Sequence, residues 1–167
     1  DLNREVYDSL SLTIAQHPSE TTERMMVRLL AYCLNSSASL VLCKGLSDTD
    51  EPDLWDLSDA GETELWIEVG EPSVERLKKA TRAAKQVVVY CFNSKAPTWW
   101  NLEASKLDSE KLAVFQLPWL EVKALGALVE RTMDISVTVS GDSVYVATAQ
   151  GEQEITLVAL KHSERFS

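Results

Sequence analysis

The run QVVVYCF, from Gln86 to Phe92, carries no charged residue. A strand of that kind must be covered on both faces, and this is how strands read in parallel or mixed sheets flanked by helices. Upstream, Val74 to about Lys85 places Leu77, Ala80 and Ala84 on one helical stripe. Before that helix, ETELWIEV alternates, with Glu64, Trp66 and Glu68 on one face and Leu65, Ile67 and Val69 on the other. A helix of this length between two strands predicts a right-handed crossover and a parallel pair. The core of the chain is therefore α/β, with a mixed central sheet flanked by helices.

The remaining segments fit around that unit. Leu10, Leu12 and Ile14 alternate with serine and threonine as a half-buried strand. HPSE stops it, and Ser19 is an N-cap candidate for a helix to about Leu34, with an apolar stripe of Met26, Leu29, Leu30 and Cys33. SLVLCKG and Leu54–Leu57 read as strands, and a short helix is expected near Trp99 and Trp100. LAVFQL follows as a strand, then a helix from about Leu120 to Glu130. DISVTVS and SVYVATA pair through Gly141 and Asp142 as a C-terminal hairpin, and EITLVAL adds one further strand.

At 167 residues and 45% hydrophobic content, residues 1–167 are expected to form one domain. No stretch approaches the roughly 18 apolar residues of a membrane span, and no apolar leader is visible. Cys33, Cys43 and Cys91 sit in apolar runs without CxxC spacing, which favours thiols in a reducing, cytoplasmic setting. A formal charge of −10 argues against membrane binding and against nucleic-acid binding over the whole surface. Screening over about 8 Å still allows a local cleft to meet a phosphate backbone.

The chemistry-bearing residues lie between Asp48 and Ala80, where carboxylates crowd around two tryptophans. Asp53 and Glu68 are candidate ligands for Mg²⁺ or Mn²⁺, since a hard cation takes one or two carboxylates with waters and substrate phosphate. Glu23 extends the stripe of the first helix and is a candidate third carboxylate. The metal would activate water and stabilise charge on a transferring phosphoryl group. Pro52-Asp53 followed by a glutamate on the next strand is similar to the PD-(D/E)XK nuclease pattern, but Gly70 stands where that pattern has lysine. Lys78 or Lys79, on the following helix, are the candidate replacements.

HPSETTERMMVRLLAYC, DEPDLWDL, ELWIEVGEP, KKATRA and ERTMDI, in this order, resemble the YaeQ family of bacteria across nearly the whole chain. The resemblance implies a variant of the restriction-endonuclease-like fold and a short strand upstream of Asp1. It also implies a site at Glu23, Asp53 and Glu68, with its lysine displaced to Lys78 or Lys79.

Plainer roles compete with each of these. Asp50, Glu51 and Asp53 also suit a solvated acidic loop, Glu23 a helix first turn or a pair with Arg24 or Arg28, and Lys78 and Lys79 the wet flank of a helix. His17 and His162 support no triad, and no P-loop, GxGxxG or GxSxG occurs. Trp99 and Trp100 suit either base stacking or core packing. Two classes of function result: a metal-dependent phosphodiesterase, or a non-catalytic module of the same fold binding a protein or nucleic-acid partner.

Overall fold

The computed structural model describes residues 5–11, 20–43, 51–130 and 134–162. Among them, two sheets and four helices form alternating layers. The first sheet has six strands and the second has four.

The six-stranded sheet is built around β4 (Thr63–Val69) and β5 (Ala84–Cys91). They pair in parallel, Glu68 opposite Val89, with α2 (Val74–Ala83) as the crossover. β6 (Leu112–Gln116) adds a further parallel strand to β5. On the other side, β3 (Leu54–Leu57) pairs antiparallel with β4, and β2 (Leu40–Leu42) antiparallel with β3. The sheet is mixed, as the sequence predicts. Val87, Val88, Val89 and Cys91 are all fully buried, which explains the absence of charge in the run that contains them.

One face of this sheet carries α2, α3 (Ala96–Glu103) and a 3-10 turn (Ala104–Lys106). Leu77, Ala80 and Ala96 bury against Trp66, Val87 and Val89 there. The other face carries α1 (Thr22–Leu34) and α4 (Trp119–Gly126), and beyond them lies the four-stranded sheet, β1 (Glu5–Ser11), β7 (Asp134–Ser140), β8 (Ser143–Thr148) and β9 (Gly151–Thr156). Because α1 is covered on two sides, its burial is wider than the stripe read from sequence: Met25, Val27 and Ala31 join Met26, Leu29, Leu30 and Cys33. A helix apolar around most of its circumference is a buried one.

Three expectations need correction. The N-cap of α1 is Thr21, whose hydroxyl accepts from Arg24 N at 3.1 Å; Ser19, His17 and Ile14 lie outside the described residues. The helix after Pro118 runs from Trp119 to Gly126 rather than to Glu130. EITLVAL is not one strand. It divides after Thr156, where Leu157 N donates to Asp142 O, and Val158–Lys161 leave the four-stranded sheet as β10 to pair with β6. No helix among the described residues is long and apolar enough to cross a membrane.

Candidate functional site

β4 determines where its carboxylate sits. Ile67 and Val69 face the core under α1, so alternation sends Trp66 and Glu68 to the α2 face, where Trp66 buries at 3% exposure. Leu54 lies opposite Ile67, Asp53 N donates to Ile67 O at 3.0 Å and Val69 N donates to Asp53 Oδ2 at 2.8 Å, so Asp53 is bonded to the residues on either side of Glu68. Asp53 and Glu68, far apart in the chain, are thus adjacent and both buried at the carboxyl end of β4.

Two buried acids side by side need positive charge. It comes from arginines on opposite faces of the sheet. From α1, Arg24 Nη2 donates to Asp53 Oδ1 at 2.6 Å and to Val69 O at 3.2 Å, while Val69 N donates to Asp53 Oδ2 at 2.8 Å. From α2, Arg76 Nε donates to Glu68 Oε1 at 2.8 Å, and its Nη2 reaches Glu51 O at 2.7 Å. Trp66 Nε1 donates to Glu68 Oε2 at 2.7 Å, with the Arg76 guanidinium 5.9 Å from the Trp66 ring. Glu20, just before α1, completes the network by accepting from Arg24 Nη1 and from Arg28 Nε and Nη2, each at 2.8 Å.

Burial pushes the Glu68 carboxyl above its usual range; Arg76 pulls it back through hydrogen bond and charge, and the Asp53 charge pushes it further up. Burial on its own would lower Arg24, but the charge and hydrogen bond of Asp53, with those of Glu20, outweigh it and raise the guanidinium. The guanidinium groups form the accessible side of the cluster. Side-chain exposure is 15% for Arg24 and 26% for Arg76, against 4% for Asp53 and 6% for Glu68.

The remaining candidates lie elsewhere. Glu23 points along α1 at about 100° from Arg24, and its carboxylate lies over Gly126 of α4, where a Cβ on that glycine would meet Oε2 at 2.8 Å. Lys78 and Lys79 are exposed on α2, and Arg76 is the α2 cation that bonds Glu68. A readable signal existed for the missed residues: Glu20, Arg24 and Arg28 recur every fourth position, which aligns them on one face of a helix. Arg76, four before the buried Ala80, lies on the packed side of α2, unlike Lys78 and Lys79.

A hard dication would find in Asp53 and Glu68 the one or two carboxylates that Mg²⁺ requires. All four of their oxygens, however, accept a hydrogen bond from a protein donor. Among the described residues no group of three or more His, Cys, Asp or Glu side chains gathers for a metal. The arrangement does not fit a metal unless a guanidinium leaves. Cys33 and Cys91 are pushed to about 12 by burial and are inert thiols.

Residues 1–157 match the family model described as YaeQ protein. The "Uncharacterized protein YaeQ" of Salmonella typhi is 37% identical over 161 residues, covering 95% of this chain and 89% of that protein. That of Escherichia coli (strain K12) is 36% identical with the same coverage. Among solved structures, the YaeQ protein from Xanthomonas axonopodis pv. citri superposes with a TM-score of 0.85 at 38% identity, over 90% of this chain and 86% of that one. The YaeQ protein from Pseudomonas syringae gives 0.84 at 34% identity, over 93% and 87%. On this agreement of sequence and architecture, the chain belongs to the YaeQ family.

Proposed function

We propose that this chain is a restriction-endonuclease-like domain that binds a polyanionic partner without hydrolysing it. The fold component of this reading is supported by the run α1-β2-β3-β4-α2-β5, with β2, β3 and β4 antiparallel and β4 and β5 parallel. In a PD-(D/E)XK nuclease, the carboxylates corresponding to Asp53 and Glu68 serve a metal. The observation that carries the binding reading is their occupation here: Arg24 and Arg76 supply the positive charge and stand outermost, with the acids beneath them. A ligand approaching from solvent meets guanidinium edges before it meets carboxylate. Gly70, in the place of the lysine, removes a further element of phosphoryl-transfer chemistry.

The metal-dependent phosphodiesterase remains the second reading, favoured by one observation. Asp53 and Glu68, both buried near the end of β4, are the one or two carboxylates that a hard dication requires. Thermal unfolding under a titration of Mg²⁺ or Mn²⁺ separates the two. The binding reading expects no rise in Tm at millimolar metal and no cleavage of single- or double-stranded DNA or RNA. A rise that Asp53→Asn and Glu68→Gln abolish, accompanied by cleavage, would overturn it in favour of the phosphodiesterase.

A further inference from the structure

The acidic net charge of the chain conceals a basic segment. Residues 72–111 carry eight of the sixteen basic side chains and four of the twenty-six acidic ones, so this segment is +4 within a chain of −10. α2 and α3 cover one face of the six-stranded sheet, and the cations of this segment lie on α2, at the exposed start of β5 and in the turns on either side of α3, none on α3 itself. Lys78, Lys79, Arg82, Lys95 and Lys111 are exposed there. Within the segment, Arg76 pairs with Glu68, Lys85 with Glu64 and Lys106 with Glu103, and Lys111 Nζ donates to Thr81 O at 3.0 Å.

The same face presents two adjacent tryptophans. Trp99 and Trp100 are half-buried on α3, with ring centroids 5.7 Å apart and planes inclined by 46°. Trp99 is held by a 3.1 Å hydrogen bond from Nε1 to Pro72 O. Pro72 lies in the turn joining the strand of Glu68 to the helix of Arg76, so this bond ties the aromatic pair to the candidate site. Leu102, two residues on, is 67% exposed. Both rings pack against the buried cluster under α2 and stay partly accessible on the sheet face that also carries the α2 lysines, which suits a partner with flat apolar faces and a regular negative charge.

We infer that the α2–α3 face binds a single-stranded polynucleotide, with unpaired bases stacking on Trp99 and Trp100 and the phosphates running along Lys78, Lys79 and Arg82. This rests on the binding-module reading and names its partner. A single strand is selected over a duplex because stacking on a protein ring needs a base face that pairing and stacking do not already cover. Screening within about 8 Å isolates this face from the acidic remainder of the surface at physiological salt.

The test is fluorescence anisotropy of labelled oligodeoxythymidylate with the full chain, without divalent metal, across a salt series, alongside quenching of intrinsic tryptophan fluorescence. Binding with quenching is expected. Trp100→Ala should weaken it about tenfold, and Trp100→Phe, which retains a stacking ring in the half-buried position, should restore most of that loss. The triple change Lys78→Gln, Lys79→Gln and Arg82→Gln should lower the log–log salt slope by about 2, at about 0.7 for each phosphate left without its cation. Lys123→Gln, exposed on α4, should leave binding unchanged. The inference is overturned by no anisotropy change up to about 100 µM protein at low salt, by duplex DNA binding as well as the single strand, or by Lys123→Gln acting as strongly as the triple change. Because metal is absent, failure here is distinguishable from the outcome of the Mg²⁺ and Mn²⁺ titration.

Discussion

Arg24 and Asp53 meet at 2.6 Å across the end of the six-stranded sheet, and the same guanidinium nitrogen holds Val69 O at 3.2 Å. One side chain of α1 thereby ties the start of β3 to the end of β4. Arg76 makes the corresponding link from α2 to Glu68. Helices on opposite faces of the sheet are joined through two neighbouring acids.

Removing one member of the Arg24–Asp53 pair should cost more than removing both. Arg24→Leu leaves a buried carboxylate short of its counter-charge and should destabilise by about 3 kcal/mol, whereas Arg24→Leu combined with Asp53→Asn should lose markedly less than the Arg24→Leu and Asp53→Asn losses added together. Urea unfolding of the two single variants and the double variant measures this. Additive losses would show that the pair is not coupled.

The raised carboxyl of Glu68 has a sign in pH. Its folded pKa exceeds the unfolded value of about 4.3, so the native state holds the proton more tightly, and the stability this contributes is present below the unfolded value. That contribution disappears as pH rises through the folded value. Wild type should therefore lose stability relative to Glu68→Gln as pH rises above about 4.3, as read by denaturant midpoints at a series of pH values. A difference that is constant with pH would show that Glu68 titrates normally.

Leu77 and Lys78 are neighbours with opposite roles in the fold. Leu77 is fully buried under α2, and Leu77→Ala should cost about 2–5 kcal/mol through weakened packing and the cavity left behind. Lys78 is exposed, and Lys78→Ala should remain within about 0.5 kcal/mol of wild type. Comparable losses in thermal unfolding would contradict the orientation of α2.

Gly70 adopts φ +111, and a Cβ there would meet nothing within 4 Å. The penalty for a side chain is thus conformational rather than steric. Gly70→Ala should cost about 1–2 kcal/mol although the space is open. Gly70→Lys, which restores the residue type of the nuclease pattern, should carry the same strain. An unchanged unfolding midpoint in either variant would refute this.

The local elements were legible because their signals are short-range. Leu54–Leu57 and the segment from Val74 correspond closely to β3 and α2, and the hairpin turn falls at Gly141–Asp142. The adjacency of Asp53 and Glu68 was also readable, since two successive strands paired antiparallel bring such residues together. The partners of these acids were not. Asp53 finds Arg24 twenty-nine positions away, and which α1 side chain reaches it depends on the rotation of that helix as it packs between two sheets. A turn of about 100° separates the Arg24 direction from that of Glu23. The division of EITLVAL escaped for a similar reason: both halves have strand character, and no local signal says that they belong to different sheets.

By itself, the sequence determined the alternation of Trp66 and Glu68 with Ile67 and Val69, the covered strand Val87–Cys91, and the mixed sheet these imply, because side-chain direction along a strand is a property of the backbone. Tertiary structure alone decided that Arg24 and Arg76, rather than Glu23, Lys78 or Lys79, complete the acidic pair. Buried charge is matched by whatever cation the packing of neighbouring helices brings within hydrogen-bonding reach, and that packing is settled by the apolar surface of α1 and α2 against the sheet.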